Sequence, residues 1–327
     1  MLENNSKNAR FLARMGTRGT LGQAVFDAAK DGIDFFAISA DVAYPSGFER
    51  FIADFPSRFV NVGIAEQNMI GIAAGLSRYG TPVISTTWAM FSTMRAADQI
   101  RNYLGYFQSN IKLIGVDSGL TFSRYGYAHA NPADLSIMRS IPNIKVVSPC
   151  DAMEIYKCIY TALRTEGPMY IRLTGGDKPQ IVHKDGQFDF ILGKSIDITM
   201  GKDIAIIATG AVISKALDVA EILSAEGISV RVIDMHTVRP LDEDVLIDVA
   251  DYPLIVTFEE HLLSGGFGSL ILEYYSDHNI DVNVLRIGIP DKFVTPGSTD
   301  YNEKIFGIDV DCVAEKIRNR FSERCTE

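Results

Sequence analysis

Several signals that would place a chain outside the cell or on nucleic acid are missing here. The 327 residues include only four cysteines, Cys150, Cys158, Cys312 and Cys325, and no two fall at CxxC spacing. Disulfide frameworks serve small secreted domains that lack a sufficient core, and a chain this long can bury a core without one. Free thiols in a reducing compartment are therefore expected. No stretch reaches about 18 consecutive apolar residues, the length read as a membrane span. The opening MLENNSKNARFLARMG has no long apolar run of the signal-peptide kind. Both absences point to a cytoplasmic chain with no membrane association. Basic runs are lacking too: 31 Lys and Arg face 41 Asp and Glu, for a net charge of −10. Phosphate neutralisation needs a basic patch, so nucleic acid is not the expected partner. Neither a P-loop nor a GxGxxG frame occurs.

What is present is a globular composition, 47% hydrophobic and 22% charged, arranged as alternating strand and helix patterns. Short apolar runs at 35–39, 59–62, 82–86, 111–116, 144–148 and 169–173 are separated by helical patterns at 20–31, 64–78, 90–104, 133–140 and 151–165. A polar, glycine-bearing stretch, TGGDKPQIVHKDGQFDFILGKS, then interrupts the rhythm. Alternation resumes with strands at 203–209, 228–234, 253–260 and 282–288, and helices at 211–226, 242–250, 266–276 and 309–321. Near-continuous apolar strands alternating with helices indicate an α/β chain with mostly parallel sheets covered on both faces. Two doubly wound domains are expected, 1–185 and 186–327.

Three stretches in the first half are candidates for chemistry. NVGIAEQNMIGIAAG (61–75) holds one carboxylate, Glu66, in an otherwise apolar, small or amide-bearing run. Gly63 permits a sharp turn after the strand, which puts Glu66 in the first helical turn. An acid there complements the helix dipole for under about 1 kcal/mol. Its surroundings suggest more, because a carboxylate held among apolar groups is suited to sharing a proton with a ligand nitrogen. TWAMFSTMRAADQIRNYLGY (87–106) places Trp88, Met90 and Phe91 at the C-terminal end of a strand, where open α/β sheets bind ligands. The loop GVDSGLTFSRYGYAHANPAD (115–134) follows a strand and carries His129, the best proton carrier near neutral pH in that region. FEEHLLSGGFGSL (258–270) reads as a tight strand-to-helix turn with a structural purpose.

Together these stretches resemble the C-terminal two-thirds of transketolase-type thiamine diphosphate enzymes. RFVNVGIAEQNMIGIAAGL, MRAADQIRN, SIPNIKVVSPCDAMEIYKCIYTALRTEGPMYIRL and the ending VRVIDMHTVRPLD…IVTFEEH…GGFGS…VLRIGIPDKFVTPG occur there in this order. The resemblance implies a pyrimidine-binding domain followed by a transketolase C-terminal domain. It implies that Glu66 hydrogen-bonds the aminopyrimidine of thiamine diphosphate, that His129 faces substrate hydroxyls and assists proton transfer, and that Phe91 stacks on the pyrimidine beside Trp88 and Met90. The family aromatic falls one residue later, at Ser92. The family's GDG motif, which holds diphosphate and Mg²⁺, is absent; Asp177 in GGDK and Asp185 in KDG do not make it. The implied arrangement is a separate α-type subunit carrying that half, with no metal on this chain, in an α₂β₂ assembly.

The substrate pocket departs from the family pattern. The family loop reads DGxTH and this chain reads YGYAH, so Tyr125 replaces an Asp four residues before His129. Asp117 and Ser118 stand where relatives have basic residues that hold a substrate phosphate, while Arg18 and Ser46 match phosphate-contacting positions and Arg124 adds a cation. These changes imply two-carbon ketol transfer on an altered sugar, modified or nucleotide-linked. A 2-oxo acid dehydrogenase β-subunit, a deoxyxylulose-phosphate synthase and a catalytically silent regulatory subunit are the alternatives.

Overall fold

The computed structural model describes residues 1–176 and 181–324. Asp177 and Cys325 lie outside this range. The strands are β1 (Phe36–Ser39), β2 (Phe59–Asn61), β3 (Val83–Trp88), β4 (Ile111–Val116), β5 (Lys145–Val147), β6 (Met169–Arg172), β7 (Ile196–Thr199), β8 (Ile204–Ala208), β9 (Val230–Asp234), β10 (Thr237–Arg239), β11 (Leu254–Leu262) and β12 (Val284–Ile289). They form a seven-stranded sheet in the order β10-β5-β6-β4-β3-β1-β2 and a five-stranded sheet in the order β12-β11-β8-β9-β7. The first is parallel except for β10, and the second is parallel except for β7. The α/β class with two mostly parallel sheets is therefore what the fold shows. The central strands β3, β4 and β8 are buried almost throughout because helices cover both sheet faces.

Two strands escape the apolar-run reading. β7 lies just beyond the polar stretch and pairs antiparallel with β9. β10 comes from the second half of the chain but joins the first sheet, with Thr237 opposite Val147 and Arg239 opposite Val146. Three residues carry no readable periodicity, and β10 is a strand only because β5 offers it an edge. The first helix also begins earlier than its pattern suggests, running Ser6–Lys30 with a break at Gly16, where φ is 69°. Asn5 caps it by accepting from the Asn8 amide at 2.9 Å.

One hydrophobic core runs between the units, joining Met69, Ile70, Leu113 and Leu135 to Ile207, Ile233 and Phe267. Inside this junction the Arg172 guanidinium donates to both oxygens of Asp134 at 3.1 and 2.9 Å, and Tyr170 Oη donates to the same carboxylate at 2.8 Å. Arg172 also donates to the Glu260 carbonyl of β11 at 2.7 Å, so the network ties the two sheets together. In the 258–270 stretch, Glu259 accepts from the Phe267 and Gly268 amides at 2.6 and 2.8 Å and caps helix Phe267–Asp277. Gly266 and Gly268 let the chain pass there, because a Cβ at either would meet Glu259 or Thr257 within 2.4 Å.

Candidate active site

The candidate residues gather at the C-terminal ends of β2, β3 and β4, the edge where parallel sheets place ligands. After β2, Gly63 takes φ of 72° and the chain turns into helix Glu66–Ser77. Glu66 is its first residue and is only 2% exposed. Its carboxylate has a specific partner: Arg95 Nη1 lies 2.9 Å from Oε1 and 2.8 Å from Oε2. Arg95 follows from the turn after β3. Residues Phe91–Arg95 form a π turn, wider than an α turn and frequent at functional sites. The guanidinium lies over the Phe91 ring, 4.2 Å from its centroid. Phe91 in turn meets the His129 ring edge-on at 5.4 Å.

Around His129 the 117–131 loop closes an aromatic cluster. Tyr125 is 5.2 Å and Phe122 6.2 Å from the imidazole, and Trp88 packs on Phe122 at 4.6 Å. The loop is pinned by Asn131, which donates to Thr93 Oγ1 at 2.7 Å and exchanges backbone bonds with Gly119. His129 Nδ1 is buried without a hydrogen-bond partner among the described residues. Glu66, Phe91, His129, Tyr125 and Trp88 thus lie in one continuous chain of contacts through Arg95 and Phe122.

Phe122 also borders a cavity of about 370 Å³ between the two units, lined by Arg18, Arg124, Lys215, Glu260 and Glu303 among others. Arg18 stands 3.8 Å from Asp117, and Lys215 pairs with Glu303. Burial raises the pKa of the Glu260 carboxyl above the ordinary value, against the opposing charges of Lys215 and Arg172. The cavity is therefore a mixed-charge cleft rather than a purely cationic phosphate cup.

Three expected residues fall elsewhere or act differently. The Ser46 hydroxyl is fully buried, donates to the Val42 carbonyl at 2.7 Å and meets Thr86 Oγ1 at 3.2 Å. It fixes the 42–48 turn and is not among the residues lining the cleft. Met90 is half-buried at the start of the post-β3 helix. Ser92, the family's aromatic position, turns into the core and donates to Ala89 O at 3.1 Å. Arg95 and Phe122 were not singled out from sequence. The signals were available: a buried carboxylate needs a cation or donor, and Arg95 stands four residues after Phe91 on one helix face.

Comparison with known proteins decides the family. The description "Transketolase, pyrimidine binding domain" matches residues 13–179, and "Transketolase, C-terminal domain" matches residues 193–313. The chain belongs to the transketolase family. Among transketolase relatives, it is 34% identical over 302 residues to a putative transketolase C-terminal section of Methanocaldococcus jannaschii, covering 92% of this chain and 95% of that one. It is 35% identical over 292 residues to the 6-deoxy-6-sulfo-D-fructose transketolase subunit SqwH of Clostridium sp., covering 89% and 90%. A solved split-gene transketolase, an inactive β4 tetramer, superposes with a TM-score of 0.86 at 32% identity, covering 94% of this chain and 98% of the other. Among the described residues no helix is long and apolar enough to cross a membrane.

Proposed function

We propose that this chain is the β-type subunit of a thiamine diphosphate-dependent transketolase that moves a two-carbon ketol unit from a ketose to an aldose, in complex with an α-type subunit that holds the diphosphate and Mg²⁺. One observation carries the reading. The Arg95 guanidinium is planar, lies on Phe91 and bonds both oxygens of Glu66. A flat nitrogen heterocycle that stacks and hydrogen-bonds at this place would need the same two partners. The residues therefore fit an aminopyrimidine in kind, with Arg95 holding its place; 47% of the Arg95 side chain is exposed, which leaves it able to swing out.

When bound, the cofactor supplies the carbanion chemistry. Glu66 then holds a proton against a ring nitrogen, and the buried helix start keeps water from competing for it. Phe91 orients the ring plane. His129, flanked by Tyr125 and Phe122, stands where a substrate hydroxyl can exchange a proton with it. Trp88 and Met90 shape the apolar wall. Arg18 and Arg124 line the cleft that receives the rest of the sugar.

The altered loop supports a sugar other than the ordinary pentose phosphates. Tyr125 replaces a carboxylate that could accept from a sugar hydroxyl, and Asp117 at 3.8 Å offsets the charge of Arg18 toward phosphate, so hydroxyl and phosphate recognition both differ. A similar chain is named for a sulfo-sugar substrate, which supports a reading beyond the ordinary pentose phosphates.

Self-association is part of the proposal. A Cβ at Gly71 or Gly75 meets nothing within 4 Å, so these glycines serve no packing inside the chain. They border an opening of about 270 Å³ with Tyr103 and Phe107, and Tyr106 beside them is exposed. We read that face as covered in an α₂β₂ assembly, with 1–185 and 186–327 as the two domains of each β chain. The experiment is reconstitution with the partner chain, thiamine diphosphate and Mg²⁺, followed by ketol-transfer kinetics. Wild-type turnover that Glu66→Ala reduces to background supports the reading. A fully active Glu66→Ala complex overturns the cofactor role, and full activity on xylulose 5-phosphate with ribose 5-phosphate overturns the altered sugar.

A further inference from the structure

Where the two sheets meet, four side chains able to ligate a metal converge from three parts of the chain. Cys150 follows β5. Glu154 lies four residues on, in the first turn of helix Ala152–Arg164. His183 comes from the segment between the units, and Asp234 ends β9. One donor atom from each lies within 4.8 Å of the others. Cys150 is 2%, Glu154 0%, His183 8% and Asp234 0% exposed.

The backbone around these groups is firmly set. Asp151 Oδ1 accepts from the Glu154 amide at 2.8 Å, and its Oδ2 accepts from the Val182 and His183 amides at 2.9 Å each. Glu154 Oε2 accepts from the Cys150 amide at 2.5 Å. Within the cluster the four groups have only one another, Asp234 lying beside the Cys150 thiol and the Glu154 carboxyl. Glu154 Oε1, His183 Nε2 and both carboxylate oxygens of Asp234 are buried with no hydrogen-bond partner among the described residues. His183 Nε2 points at this group, 3.8 Å from Asp234 Oδ2. Lys157, one turn further along the helix, is spent on the carbonyls of Gly186 and Phe188 at 2.9 and 2.6 Å. Buried carboxylates without a cation are costly, and partly satisfied polar clusters are worse than apolar ones.

We propose that Cys150, Glu154, His183 and Asp234 bind one divalent zinc-class ion at this junction. One thiolate, one imidazole and two carboxylates make a four-donor set suited to tetrahedral Zn²⁺, whereas Mg²⁺ and Ca²⁺ take oxygen ligands alone. The Cys150 thiol gives its proton to solvent as the Zn–S bond forms. With four protein ligands the site is closed and structural. None of the four belongs to the Glu66–His129 cluster. The ion would clasp the inter-unit segment at His183, the helix start at Cys150–Glu154 and the second sheet at Asp234.

The test uses the full chain, stripped with chelator and titrated with Co²⁺, then dialysed after loading with Zn²⁺. We expect a thiolate-to-cobalt charge-transfer band that saturates at one equivalent, one zinc retained per chain, and a Tm raised by Zn²⁺. Cys150→Ser should remove the band, and Asp234→Asn should weaken zinc retention by about tenfold or more, since even outer-shell losses reach that size. Cys312→Ser should change neither. A folded wild-type chain that shows no band and keeps no zinc overturns the site and leaves a buried, proton-sharing acid cluster. A band that survives Cys150→Ser overturns it as well, by placing the metal on another thiol.

Discussion

Two buried carboxylates in this protein each meet an arginine, and the two pairs are built for different ends. Asp134 and Arg172 are both 0% exposed, and Tyr170 and the Glu260 carbonyl complete their hydrogen bonds. Glu66 is equally buried at 2%, but 47% of the Arg95 side chain faces solvent. Removing either partner from the first pair strands a charge in the core, because water cannot replace it. In the second pair the carboxylate is fixed and the cation is on a hinge of ordinary side-chain torsions. The lesson concerns exchange: a buried acid with an exposed partner can trade that partner for a ligand, and a buried acid with a buried partner cannot.

This contrast can be broken at graded cost. Asp134→Ala should lower unfolding stability by about 3–5 kcal/mol, the usual cost of breaking a buried pair, as read by denaturant unfolding; a loss near that of a surface pair would erase the distinction. Glu66→Gln should leave the unfolding midpoint close to wild type while ketol transfer in the reconstituted complex falls by about 10²–10⁴-fold, the range of a lost acid–base group. Unchanged kinetics would return Glu66 to a helix-dipole role. His129→Ala should cost kcat about 10²-fold with a smaller change in cofactor affinity, and a pure cofactor-binding defect would argue against proton exchange there. The smallest effect belongs to Arg95→Ala. It should cost less stability than Asp134→Ala, because water reaches the half-exposed Arg95 side of the pair, and tighten thiamine diphosphate binding by removing a competitor. Weaker binding in calorimetry would mean that Arg95 works alongside the cofactor.

How far these features were legible depends on what sets them. β3, β4, β6, β8 and β11 are dictated by their own apolar residues, and the reading 82–86 or 111–116 lands on them within two residues of the observed ends. The places of Glu66, His129 and Phe91 after strand ends were legible from the alternation of strand and helix patterns. Arg95 was not, although its segment was quoted, because its bond to Glu66 depends on a π turn that widens the helix locally. The setting of Ser46 was hidden for a related reason: matching a family position says nothing of rotamer, and its hydroxyl bonds Val42 and Thr86. The buried Cys150–Asp234 group was invisible because its members are separated by 84 positions and meet only when the second sheet docks on the first.

The strand β10 has a consequence for how the chain is made. Residues 144–148 leave the ribosome long before Thr237–Arg239, so the edge of the first sheet at β5 stays uncovered until most of the second sheet has been synthesised. An open edge is a template for other chains. A fragment ending near residue 185 would carry that edge permanently, and it should associate through the β5 edge that the full chain keeps paired with β10.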